Sequence, residues 1–262
     1  MFIHNIDPVA INFFNIEIRW YSLAYIAGIL LGWFFSKIII ENLNSNNKLE
    51  KINPKIFDEL IPYLVLGIII GGRFGYVIIY NSEYYLKNLL KIFFIWEGGM
   101  SFHGGLIGII IAVIIFCKKN NIKKLILLDI ISIVAPIGIF FGRIANFING
   151  ELYGKLTKSS LGIIFQKVDN NLRHPSQLYE AAAEGLLLFL ILYFFAFKKK
   201  YIYRSGMISG IFLILYSFFR FFLEYFREPD VQIGYLILNI TTGQLLSLIM
   251  FLVGIVLIYK TR

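Results

Sequence analysis

A chain of 262 residues that is 58% hydrophobic and 17% aromatic, with a mean hydropathy of +0.73, is too apolar for a soluble globular protein. Its net charge of +9 is not a nucleic-acid footprint, because the basic residues gather in short stretches between apolar runs. The single cysteine, Cys117, excludes an internal disulfide, and the three histidines (His4, His103, His174) are too far apart in sequence to give metal-ligand spacing.

Runs of roughly 18 or more apolar residues are long enough to cross a bilayer as helices. Seven are predicted, at about 20–40, 60–80, 101–117, 125–143, 177–197, 206–224 and 242–260. The expected fold is an all-α polytopic membrane protein with seven transmembrane helices, residues 1–262 forming one integral membrane domain. The first run starts too late, and lacks the basic lead-in, for a cleavable signal peptide.

In chain order, "INFFNIEIRWY" (11–21) places aromatic residues at headgroup level before the first span. Lys37, Lys48, Lys51 and Lys55 lie near the loop after that span, and "GGRFGY" closes the second with Arg73. The segment 81–97, "NSEYYLKNLLKIFFIWE", mixes lysines with leucines and aromatics, predicting a helix that lies along the membrane surface. "GGMSFHGGLIG" (98–108) opens the third span, with His103 between two glycine pairs. "KKNNIKK" (118–124) separates spans three and four, and Cys117 sits at that end. Span four runs into "FGRIANFINGELYG" (141–154). Residues 145–175, punctuated by Gly, Ser, Asp and Asn, predict a small head of loops and short strands. "RHPSQLYE" (173–180) enters span five, and Pro175 suits a first helical turn. "KKKYIYR" (198–204) follows, then span six, which ends in "RFFLEYFREPD" (220–230).

The densely basic loops fall on one side of this arrangement, together with Lys260 and Arg262 at the far end of the chain. By the positive-inside tendency that side is cytoplasmic, so the N-terminus is expected in the periplasm and the C-terminus in the cytoplasm. Glycines recur every four residues within spans, at 67/71/75 and 104/108 among others, which lets helix backbones approach closely.

An ionisable side chain in the hydrocarbon costs roughly 2.5–3.5 kcal/mol on the insertion scale. Yet Arg73, Arg143, Arg220, Glu180, Glu184 and Glu224 all lie in or at the ends of spans. Glu180 and Glu184 are one turn apart, and Arg220, Glu224 and Arg227 share a face at i, i+4, i+7. Two readings stay open. The groups form an interhelical salt-bridge network, or the arginines gather an anion at headgroup depth, since guanidinium binds phosphate oxygens with paired donors. On the second reading Asn146, Asn149 and Glu151 orient the arginine or a glycerol hydroxyl, Gln177 adds a polar group, and neutral imidazole at His103 takes a proton.

The pieces "RWYSLAYIAG" (19–28), "GGRFGYVIIYN" (71–81), "GGMSFHGGLIG" (98–108), "GRIANFINGELYG" (142–154), "RHPSQLYEA" (173–181) and "RFFLEYFREPD" (220–230) together resemble the bacterial prolipoprotein diacylglyceryl transferases. They run in the family's order over most of the chain, and the departure lies mainly in a short stretch between Gly154 and Arg173. The resemblance implies an enzyme of the bacterial inner membrane whose site faces the periplasm. It would move the diacylglyceryl group of phosphatidylglycerol onto the lipobox cysteine of a prolipoprotein signal peptide, with glycerol phosphate released and no cofactor or metal required. By position, the resemblance marks His103, Arg143, Asn146, Gly154 and Arg220 as essential, with Tyr21, Glu151, Glu224 and Arg227 as important neighbours. Catalysis is expected from His103, Arg143 and Arg220, and substrate binding from the others together with Arg73, Asn149 and Gln177. A phospholipid or anion transporter is the competing class. It should carry polar groups through the full depth of the membrane, whereas here Asp129 is the main polar residue in the cytoplasmic halves.

Overall fold

A computed structural model of the chain describes residues 2–14, 16–45, 51–229, 234–236 and 240–261. Lys48, Asp230 and Arg262 lie outside the described residues. The protein is mostly helical. In chain order come β1 (Phe2–His4), β2 (Val9–Phe13), β3 (Ile16–Arg19), α1 (Trp20–Ser45), α2 (Ile56–Ile79) and α3 (Ser82–Lys87). Then follow α4 (Phe102–Asn120), α5 (Lys124–Asn149), β4 (Ile163–Phe165), β5 (Leu172–Arg173) and α6 (Ser176–Glu180). The last are α7 (Leu188–Tyr193), α8 (Met207–Leu223) and α9 (Thr242–Thr261).

Each of the seven predicted apolar runs is helical. Among the described residues, six helices are long and apolar enough to cross a membrane: Trp20–Ser45, Ile56–Ile79, Phe102–Asn120, Lys124–Asn149, Ser176–Lys198 and Thr242–Thr261. The run predicted at 206–224 is α8, an apolar helix of 17 residues that falls short of that length. The run Ser176–Lys198 joins α6 and α7 through π-helical stretches at Ala181–Leu187 and Phe194–Lys198.

Two expectations change. The surface helix predicted over 81–97 is α3 followed by 3₁₀ turns at Leu89–Phe93 and Ile95–Glu97. Asn88 and Phe94, both with ψ above 60°, break it. The head predicted from 145 begins later, because α5 stays helical to Asn149 and the chain turns at Gly150, whose φ of +70° suits glycine. The head also recruits the N-terminus: β1 pairs parallel with β4, which pairs antiparallel with β5. β2 and β3 form a separate antiparallel ribbon leading into α1.

The chain forms two compact units, Lys37–Leu128 with Asp230–Gly234, and the remainder. Within the first, α2 and α4 pack glycine against glycine, as their four-residue spacing predicts. A Cβ on Gly67 would lie 2.6 Å from the Gly108 carbonyl oxygen, and one on Gly75 2.6 Å from the Gly104 Cα. Within the second, Asp129 on α5 is fully buried and accepts from Gly206 N at 2.6 Å and from Ser209 N and Oγ at 2.7 Å each. It caps the N-terminus of α8, where orphan amides and the helix dipole favour a carboxylate. The polar exception in an apolar stretch is thus a helix cap.

Candidate active site

In the larger unit, three helical segments bring six charged side chains into one buried ladder. Arg143 projects from α5, Glu180 and Glu184 from the α6 run, and Arg220 and Glu224 from the end of α8, with Arg227 just beyond. Arg143 Nη1 lies 3.0 Å from Glu180 Oε2, and Nη2 lies 3.0 Å from Glu184 Oε2. Arg220 Nη1 lies 2.6 Å from Glu180 Oε1 and 3.8 Å from Glu184 Oε1, and Nη2 lies 2.7 Å from Glu224 Oε2. Arg227 Nη1 lies 3.7 Å from Glu180 Oε1. Glu180 and Glu184 are 0% exposed, so their charges persist only through these partners.

The local sequence explains the meeting. Gly185 sits where a Cβ would come within 2.7 Å of the Phe140 Cβ and 2.8 Å of its Cα, so the α6 run presses against α5 one turn before Arg143. The π-helical turns there are wider than α-helical ones, a form often found at functional positions. Glu224 is held from its other side by Thr241, whose hydroxyl donates to Oε1 at 3.1 Å. Thr241 itself belongs to a reciprocal cap at the start of α9: its Oγ1 accepts from Gln244 N at 3.2 Å, and its own N donates to Gln244 Oε1 at 3.1 Å.

A second polar group surrounds the end of α5. Asn146 Nδ2 donates to Glu151 Oε1 at 2.7 Å and to the Tyr21 hydroxyl at 3.3 Å. Gln177 Nε2 donates to the Glu151 carbonyl at 2.6 Å. The buried Asn149 Oδ1 and Gln177 Oε1 accept no hydrogen bond among the described residues. Gly154 is threaded between two backbones: it donates to the His174 carbonyl at 2.9 Å, and a Cβ there would sit 2.6 Å from the Phe226 carbonyl. Its bridge to Arg227 ties the head to the charged ladder.

Arg73 and His103 belong to the other unit. Expected as a substrate contact, Arg73 directs its guanidinium at backbone carbonyls of the 81–99 segment. Nε donates to Ile92 at 2.8 Å, Nη2 to Lys91 at 2.6 Å and Phe94 at 3.1 Å, and Nη1 to Gly98 and to Gly99 at 3.2 Å. His103 lies in the first turn of α4, 8% exposed and edge-on to Phe102, after Ser101 caps the helix through Gly104 N.

A family model described as prolipoprotein diacylglyceryl transferase matches residues 8–260. The chain belongs to this family. A relative from Rickettsia bellii (strain OSU 85-389), named phosphatidylglycerol–prolipoprotein diacylglyceryl transferase, is 52% identical over 258 residues, covering 98% of this chain and 96% of its own. Relatives of the same name from Rickettsia felis and Rickettsia typhi are each 51% identical, covering 98% and 99% of this chain and 98% of their own.

Sequence reasoning placed Glu180 and Glu184 in a span but not in the site, and it missed Thr241 and Gly185. The Thr-x-x-Gln spacing at 241–244 was a readable capping signal. Nothing local marked Gly185 for its contact with Phe140.

Proposed function

We propose that this chain transfers the diacylglyceryl group of phosphatidylglycerol to the cysteine thiol of a prolipoprotein lipobox, the first step of lipoprotein maturation. The observation that carries the reading is family membership across residues 8–260, together with a ladder that gathers Arg143 and Arg220, two guanidinium groups of the type that binds phosphate oxygens, at one carboxylate. A transporter should carry polar groups through the full depth of the membrane, and the main polar residue of the other halves, Asp129, is taken up as a helix cap.

In the proposed reaction the thiolate sulfur attacks the glycerol carbon bonded to the phosphate oxygen. A C–S bond forms, the C–O bond breaks, and its electron pair leaves on glycerol phosphate. A free thiol titrates near ~8.5, so the nucleophile needs a base at neutral pH. His103 takes that proton. Arg143 and Arg220 stabilise the charge that builds on the departing phosphate, an effect strongest in a site shielded from water. Tyr21, Asn146, Asn149, Glu151 and Gln177 orient the headgroup, while Glu224 holds Arg220, Arg227 supports Glu180 and Gly154 fixes the head against them. Arg73 acts by holding the 81–97 arm.

The proposed topology has seven spans, including α8, which at about 1.5 Å per residue is near the lower limit for crossing. The basic loops face the cytoplasm, the N-terminus and the 154–175 head face the periplasm, and the whole chain forms one domain of the bacterial inner membrane. The decisive experiment is mass spectrometry of a lipobox peptide incubated with the purified protein and phosphatidylglycerol. A diacylglyceryl increment on the cysteine is the expected result, and an unmodified peptide overturns the reading.

A further inference from the structure

Among the described residues, the ladder holds as many carboxylates as guanidinium groups: Glu180, Glu184 and Glu224 against Arg143, Arg220 and Arg227. A phosphodiester brings one more negative charge, and the ladder has no surplus positive charge to receive it. An added anion near a buried carboxylate favours the neutral acid at that carboxylate, so anion binding and proton binding are linked.

The three carboxylates are not equally held. Glu180 touches all three arginines. Glu224 has Arg220 at 2.7 Å and the Thr241 hydroxyl at 3.1 Å. Glu184 has one close partner, Arg143 at 3.0 Å; its Oε1 is 3.8 Å from Arg220 and accepts no hydrogen bond among the described residues. It is 0% exposed. The charged and titratable groups around it are Arg143 from α5, Arg220 and Tyr216 from α8, and Glu180 from its own helix.

We propose that Glu184 takes up a proton when an anionic phospholipid headgroup binds, and that losing its charge releases the Nη2 arm of Arg143 to the phosphate while Nη1 stays on Glu180. One proton passes from water to the Glu184 carboxylate for each lipid bound, and no other bond changes. The proposal rests on the function above only for the class of lipid.

The test is titration of the purified full chain in non-ionic detergent with short-chain phosphatidylglycerol, without peptide, by calorimetry in two buffers of different ionisation enthalpy. Uptake of close to one proton per lipid is expected, with affinity falling by up to about tenfold per pH unit on the alkaline side. Glu184→Gln should abolish the uptake and flatten the pH profile, and Glu184→Asp, which keeps a carboxylate, should restore both. Lipid binding without proton exchange between about pH 6 and 9, or uptake that survives in Glu184→Gln, overturns the proposal. Binding is read without peptide, so a failed transfer assay and a failed proton assay remain distinguishable.

Discussion

Arg143 and Glu180 face each other at 3.0 Å from separate helices, and Glu180 reaches Arg220 at 2.6 Å with its other oxygen. One carboxylate therefore sets the spacing of two guanidinium groups. Glu180→Gln should remove the charge that both arginines lean on. Breaking a buried pair by removing one partner costs about 3–5 kcal/mol, so a clearly lower melting temperature in detergent is expected; an unchanged one would show that the ladder is not structural.

Arg143→Lys keeps the charge but loses the forked donors that reach Glu180 and Glu184 separately. Diacylglyceryl transfer to a lipobox peptide should fall by about tenfold or more, the scale of one charge-assisted hydrogen bond. His103→Gln should fail mainly below the thiol's own titration and recover partly at high pH. Near-normal transfer by His103→Gln across about pH 6–9 removes the base assignment.

Thr241→Val deletes both the cap of α9 and the hydroxyl that donates to Glu224. A loss of about 1–2 kcal/mol is expected from the cap alone, and Thr241→Ser should retain most of it. Chemical denaturation of the two variants side by side separates the hydroxyl from the methyl group.

Gly154→Ala sets a methyl group against the His174 and Phe226 backbones. Neither can yield as a flexible side chain would, so the strand crossing must open. Transfer activity should drop severely, and limited proteolysis should cut residues 154–175 faster than in the parent protein.

Asp169 carries a pH signature that can be checked in the head. Its hydrogen bonds from Arg173 hold the carboxyl down at about 2, against an ordinary 3.8. Depressed in the folded state, it contributes stability that is complete above the ordinary value and fades as pH falls through the folded one. Protection of the β4 and β5 amides, corrected for the intrinsic pH dependence of exchange, should therefore stay flat down to about pH 4 and fall below it. Asp169→Asn should remove that acid step.

Much of the fold is legible from apolar run length alone, because a helix needs no partner to reveal its span. What escaped is set by distant partners. The 81–97 arm breaks into short turns where Arg73 collects its carbonyls, and a helix-like pattern there does not disclose a cation 18 residues upstream. The polar residues of α5 were readable by spacing, since Arg143, Asn146 and Asn149 continue one helix. Whether the arginines faced carboxylates or open space was not readable, because the pairing of Arg143 with Glu184 depends on Gly185 meeting Phe140.

The long separation between β1 and its partner strand has a consequence for synthesis. Phe2–His4 lies against Ile163–Phe165, more than half the chain later. As the ribosome feeds the protein outward, those first residues must wait, unpaired, until the fourth long helix has emerged.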